Sequence, residues 1–222
     1  MQAVLDLVRV LYEPAAVFER VREKPKFLLP FVALAVLLMV ISYLALPYYR
    51  SAMAQQLAQA TQANPAAAEA AQKFAFIGVI VAPVVFALVL VITAFVLWVL
   101  VSLFGGEAKF VTLLSVATYV AITGIMLQIA GLAVLMLRGP GAVTSPEDLQ
   151  PALGLDLLAP GATGFVAAVL KGINPFSIWG LILTGIGISV THKLSKGTGY
   201  TIATVSLLIG VLVVGAFSLL RG

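Results

Sequence analysis

The chain has 222 residues, no cysteine, 62% hydrophobic residues and only 10% charged ones, with a formal net charge of +4. Soluble domains carry about 25% charged residues, and a chain this apolar would expose more apolar surface than a monomer tolerates in water. Composition therefore excludes a soluble enzyme, a disordered tail and a disulfide scaffold, and the basic residues form no patch fit for nucleic acid.

Residues 1–26 read as an amphipathic cytoplasmic segment of two short helices. In the first, Val4, Leu5, Val8, Leu11 and Tyr12 recur at helical spacing, with Asp6, Arg9 and Glu13 on the other side. Pro14 suits the first turn of the second, whose apolar positions are Val17, Phe18 and Val21. Arg20, Arg22 and Lys24 make its polar side and are the candidates for lipid headgroup contact. The alternative is that the apolar side packs on the protein's own helices, and the two readings are compatible.

Five stretches without Asp, Glu, Lys or Arg then follow at about 27–47, 76–104, 110–137, 175–191 and 199–220. Each meets or approaches the ~20 apolar residues that a membrane helix needs. The fold class is thus all-α, a bundle of five transmembrane helices. The first stretch and its charged lead-in are both too long for a cleaved signal, although Ala52-Met53-Ala54 has the A-x-A pattern. Pro83 should kink or tilt the long second span. The fourth span is short and should continue through His192 or thin the bilayer locally.

Between the first two spans, the Ala- and Gln-rich stretch 48–73 should form two short helices broken at Asn64-Pro65. Between the third and fourth, 138–174 carries four prolines and reads as a solvated loop, the alternative being that Phe165–Lys171 forms a short helix dipping into the outer interface. Eight of the thirteen Lys and Arg lie on the side of the N-terminus. By the positive-inside rule the N-terminus is cytoplasmic and the C-terminus extracytoplasmic. The short N-terminal segment and tight loops point to a prokaryotic inner (plasma) membrane.

Chemistry for catalysis is missing from the pattern. The single histidine, His192, has no cysteine or carboxylate beside it, so no metal or cofactor is expected. No phosphate loop, H-E-x-x-H or G-x-S-x-G occurs, and no ionisable residue lies within the spans for a proton or ion relay. The expectation is a non-enzymatic protein.

Small residues supply the remaining signal. Ala117, Ala121, Gly124, Gln128 and Gly131 share one face of the third span, and Thr112, Ser115, Tyr119 and Thr123 form a hydroxyl stripe on roughly the opposite face. Ser177, Gly180, Thr184 and Gly187 repeat the small-residue spacing in the fourth, and Ala203, Ser206 and Gly210 in the fifth. Small residues let helices approach closely in lipid, so these stripes are expected to be internal seams or partner seams. Gln128 is the costliest polar group in the spans, and its amide should be buried in protein.

The N-terminal EPAAVFERVREKP with Pro14 and Phe18, the loop GGEAKF, the third-span SVATYVAITG and the closing INPFSIWGLILTGIGIS together resemble the YIP family, named for interaction with Ypt/Rab GTPases, and its short bacterial members in particular. The resemblance covers nearly the whole chain. It implies a five-span bundle with a cytoplasmic N-terminus that acts through partners rather than by catalysis. The expected role is a scaffold or organiser whose partners are the lipid bilayer and other membrane proteins or a second copy. The alternative is a small transporter or permease subunit for a neutral or lipid-like solute, lined by the hydroxyl stripe. A third reading is lipid handling through residues 1–24.

Overall fold

The computed structural model describes residues 2–60 and 65–219, with the side chains of 55–60, 65–76 and 146–147 outside the description. Among the described residues the structure is helical, without strands. Five helical stretches are long and apolar enough to cross a membrane: Leu28–Ala54, Ile77–Leu103, Phe110–Arg138, Pro175–His192 and Lys196–Leu219. Each overlaps one of the five charge-free stretches, since a charged side chain is costly in hydrocarbon, and the first runs on past 47 to include Arg50.

In chain order the helices are α1 (Gln2–Arg9), α2 (Pro14–Glu23), α3 (Leu28–Ala60), α4 (Pro65–Leu103), α5 (Phe110–Val120), α6 (Ile122–Arg138), α7 (Gly164–Gly172), α8 (Pro175–His192) and α9 (Lys196–Leu219). The third span is α5 and α6 in succession. Ala121 interrupts them while keeping right-handed helical angles, and its N–H still reaches the Ala117 carbonyl at 3.0 Å. Stretch 48–73 departs from the expected pair of separate short helices. Instead α3 continues through Pro47 to Ala60, and α4 starts at Pro65 and runs through Pro83. Alanine and glutamine favour helix, and proline is well placed at a first helical position. Residues 61–64, including Asn64, lie outside the described residues.

The chain divides into two compact units. The first holds residues 1–33, 87–124 and 152–222, and the second holds 34–86 and 125–151.

In the first unit, α8 and α9 form an antiparallel pair closed by glycines. A methyl group on Gly185 would lie 2.5 Å from the Tyr200 ring, and one on Gly199 would lie 2.6 Å from the Gly185 carbonyl. Lipid is as apolar as leucine, so van der Waals packing of this kind holds such helices together, and it needs backbones to approach. Leu97, Leu100, Val101, Leu113, Ile188 and Ile202 form a buried cluster at the end where α8 meets α9. There the Lys109 N–H donates to His192 Nε2 at 3.4 Å. The Thr191 hydroxyl donates to the Gly187 carbonyl and lies 2.7 Å from His192 Nδ1, which fits a proton on Nδ1.

The other end of α8 is built differently. The Asn174 side chain accepts from the N–H groups of Phe176 and Ser177, and the Ser177 hydroxyl accepts from the Asn174 N–H. This reciprocal cap starts α8 sharply. Just before it, α7 lies antiparallel on α9. Methyl groups on Gly172 and Gly215 would each come within 2.8 Å of the other helix, at Val211 and Phe165. From Val211, α9 continues eight residues to Leu219, about 12 Å at 1.5 Å per residue. α7 occupies that height, which the short fourth span leaves unfilled. The stretch expected to be a solvated loop carries α7 and 3₁₀ turns at Pro140–Ala142, Pro146–Leu149 and Leu155–Leu158.

In the second unit, α6 leads into the turn at 144–149. Asp148 Oδ2 there accepts from the N–H and hydroxyl groups of both Thr144 and Ser145, at 2.8–3.2 Å. These four donors hold the Asp148 carboxyl below its usual range.

Candidate functional site

The small-residue stripes separate into two kinds of surface. Those of α8 are internal. A methyl group on Gly180 would lie 2.9 Å from the Thr123 hydroxyl, and one on Gly187 would lie 2.8 Å from Val116 and 3.1 Å from the Phe18 ring. Thr184 donates to the Gly180 carbonyl at 2.8 Å, and Ser177 is occupied in the cap of α8. α8 is thus the hub on which α2, α5 and α9 pack.

The stripe on the third span changes character along its length. Ala117 is buried and Ala121 half-buried. Beyond them Gly124 is exposed, with nothing within 4 Å of a methyl group placed on it, and Gly131 meets only Pro151 at 3.9 Å. Gln128 is exposed as well, so the described residues of this chain do not themselves supply the protein surroundings expected for its amide. The spacing shows which residues share a face of a helix; it does not show which face meets a neighbour. Gln128 stands ten residues from Arg138, about 15 Å along the axis. That places an amide near the middle of a ~30 Å hydrocarbon layer.

The hydroxyl stripe lies on the opposite side and is sealed. Thr112, Ser115, Tyr119 and Thr123 are all buried. Ser115 donates to the Val111 carbonyl, and Thr123 to that of Val120. The Tyr119 hydroxyl donates to the Ala3 carbonyl, so three of the four hydroxyls are taken up by backbone carbonyls of the chain and present no free row to a solute.

At the Lys109 end, the two N-terminal helices behave differently. α2 buries Val17, Phe18 and Val21 against α5 and α8, and Arg22 donates to the Val190 carbonyl at 3.4 Å. In α1 the expectation for Asp6 is corrected, since it does not share an outer polar side with Arg9 and Glu13. It is buried and accepts from Arg20 through two N–H groups, at 2.6 and 3.1 Å. Arg9 pairs with Glu13 on the outside, and Lys24 is exposed. Sequence reasoning missed the Asp6–Arg20 pair because its members stand fourteen residues apart on different helices. It also missed the Gly185–Tyr200 and Gly199–Ser189 contacts, although glycines facing Tyr and Ser across a tight turn were visible in the sequence. Among the described residues no three His, Asp or Glu side chains gather as metal ligands.

The Yip1 domain model matches residues 8–218. The chain belongs to the Yip1 domain family. Among curated proteins it is similar to the membrane protein YknW of Bacillus subtilis, at 29% identity over 98% of this chain and 90% of that one. No solved structure matches it. This Yip1-domain chain is accordingly a multi-pass membrane protein, and the matched region takes in both units, the α6 face included.

Proposed function

We propose that this Yip1-domain protein is a non-enzymatic organiser of the membrane that uses the α6 face around Gln128 to hold a transmembrane helix of a second copy. The observation that carries this reading is the exposed Gln128 amide, flanked by Gly124 and Gly131, where no described residue comes closer than Pro151 to a methyl group placed on either glycine. A carboxamide in hydrocarbon gains a partner by docking, and open glycines permit close approach. An amide is both donor and acceptor. Two Gln128 side chains across a two-fold axis therefore satisfy one another, which favours a second copy. Other membrane proteins presenting a polar group are the competing partners. The sealed hydroxyl stripe gives no support to a solute path.

In this reading the N-terminus is cytoplasmic, the C-terminus extracytoplasmic, and the location is the inner membrane of a prokaryote. The excess of Lys and Arg on the N-terminal side supports that orientation. Arg22 and Lys24 then face the headgroups of the cytoplasmic leaflet. Arg20 shares that side but has Asp6 as its partner.

The test uses the natural absence of cysteine. Gln128→Cys in native membranes should form an oxidative dimer, whereas Phe95→Cys, exposed on α4, should not. Absence of the Gln128 dimer, or equal dimer from both positions, overturns the second copy as occupant. Co-purification of another membrane protein that Gln128→Leu abolishes would keep the organiser reading with a different partner.

A further inference from the structure

α1 has its amphipathicity reversed with respect to water. It buries Asp6 at 5% exposure and Leu7 at 4%, followed by Val10 at 0%. It exposes Leu5 at 68% and Val8 at 60%, with Val4 beside them and Tyr12, in the turn that follows, at 67%. A helix at a water-facing surface does the opposite, since apolar surface is driven out of water and a carboxylate is costly to bury. Here the carboxylate has a partner inside, in Arg20, and the apolar residues have none outside.

The position of α1 along the spans says what covers that face. The Tyr119 hydroxyl donates to the Ala3 carbonyl at 3.4 Å. Tyr119 is nine residues beyond Phe110, about 13 Å along the helix, and its ring leans back toward the helix start. Phe18 packs at the level of Gly187, five residues or roughly 7 Å inside His192. Arg22 meets the chain at Val190, close to that end. Lys109, His192 and Lys193 mark the membrane boundary on this side, where the apolar spans stop. The helix pair therefore hangs inside the boundary, at the depth of roughly 5–10 Å where interfacial helices bury their apolar faces.

We infer that α1 lies in the interfacial layer of the Lys109-side leaflet with Val4, Leu5, Val8 and Tyr12 among lipid acyl chains, while α2 is its protein-facing tether. The Asp6–Arg20 pair sets the rotation of α1 by turning the carboxylate toward the protein and the apolar stripe toward lipid. Arg9 and Glu13 pair with each other, and Lys24 and Lys26 are exposed to meet headgroup phosphates. The occupant is the bilayer itself, and the inference stands independently of what docks on α6.

The experiment uses the full chain in nanodiscs of phosphatidylethanolamine and phosphatidylglycerol, with bimane placed at Leu5→Cys, Val8→Cys or Lys24→Cys. These three positions are exposed, so the probes leave the packed interior untouched. Bromine on the upper acyl chain should quench the probes at 5 and 8, and aqueous iodide should not; the probe at 24 should show the reverse. Iodide quenching at 5 and 8 equal to that at 24 would place α1 in water and overturn the inference. Shielding from both quenchers would mean that protein covers the face, which overturns it as well. Because the Gln128→Cys dimer is scored on another face, either result can fail without the other.

Discussion

The α8–α9 seam and the α6 face carry the same kind of sequence, small residues at spacings of three and four, and have opposite surroundings. At the seam a single added methyl would strike a ring or a carbonyl; at Gly124 it would strike nothing. Small residues are thus a necessary condition for close packing in lipid and carry no information on whether the neighbour belongs to the same chain. What separates the two is the polar group in each stripe. Thr184, Ser189 and Thr191 on α8 are satisfied by carbonyls of their own helix. Gln128 is too long and too polar to be retired in that way.

The largest effect should come from closing the seam's glycine contact. Gly199→Ala pushes a methyl into the Gly185 carbonyl, which cannot rotate away, and should cost about 1–3 kcal/mol as overpacking. Thermal melts in detergent would read it. The matched change Gly124→Ala should be neutral or stabilise by up to ~1 kcal/mol, because alanine is the better helix former. Equal losses at both positions would erase the distinction between seam and open face.

A second contrast is polar. Asp6→Ala leaves the partly exposed Arg20 guanidinium without its partner and should destabilise by about 1–2 kcal/mol, between the values for surface and buried pairs. Gln128→Leu removes an amide that has no hydrogen-bond partner among the described residues. It should leave the monomer's melting unchanged while weakening self-association by about 0.6–2 kcal/mol, measured by dilution in lipid. Loss of monomer stability in Gln128→Leu would mean that the amide works within the chain.

The smallest effect concerns pH. The Asp148 carboxyl, which organises the turn after α6, has a lowered pKa. Its stabilisation is complete above the unfolded carboxylate value of about 3.9 and is lost only as pH falls through the lower folded value. Self-association of the unaltered chain, measured by dilution in lipid, should therefore be unchanged between neutral and mildly acidic pH. A drop in that range would tie the open face to a group other than Asp148.

Much of the fold is legible because lipid polices charge. The five spans, the helix start at Pro14 and the small-residue faces all follow from residue type and spacing. Orientation of a face is a different matter. The stripe containing Leu5 and Val8 is visible in the sequence, but reading Asp6 as an outer residue presumes water around α1. Its true direction depends on Arg20 and on how deep Tyr119 holds Ala3. Gln128 fails in the same way, since helical spacing does not reveal that its face lacks a neighbour. The reach of α3 past Pro47 is hidden because a charge-free stretch bounds the apolar span and not the helix, which runs on through Arg50 to Ala60. The seat of α7 depends on Gly215, more than forty residues later in the chain.

That seat has a consequence for the order of events during synthesis. α7 rests on α9, and α8 is made between them. When α7 leaves the ribosome it meets the 3₁₀ turn Leu155–Leu158, but the helix that receives Gly172 and Phe165 does not yet exist. Docking of α7 therefore waits until the last span has been inserted, which makes the C-terminal helix the closing step of biogenesis for this half of the molecule. A chain that stalls before Val211 would carry α7 without the α9 surface it rests on, a state that a quality-control protease could distinguish from the finished protein.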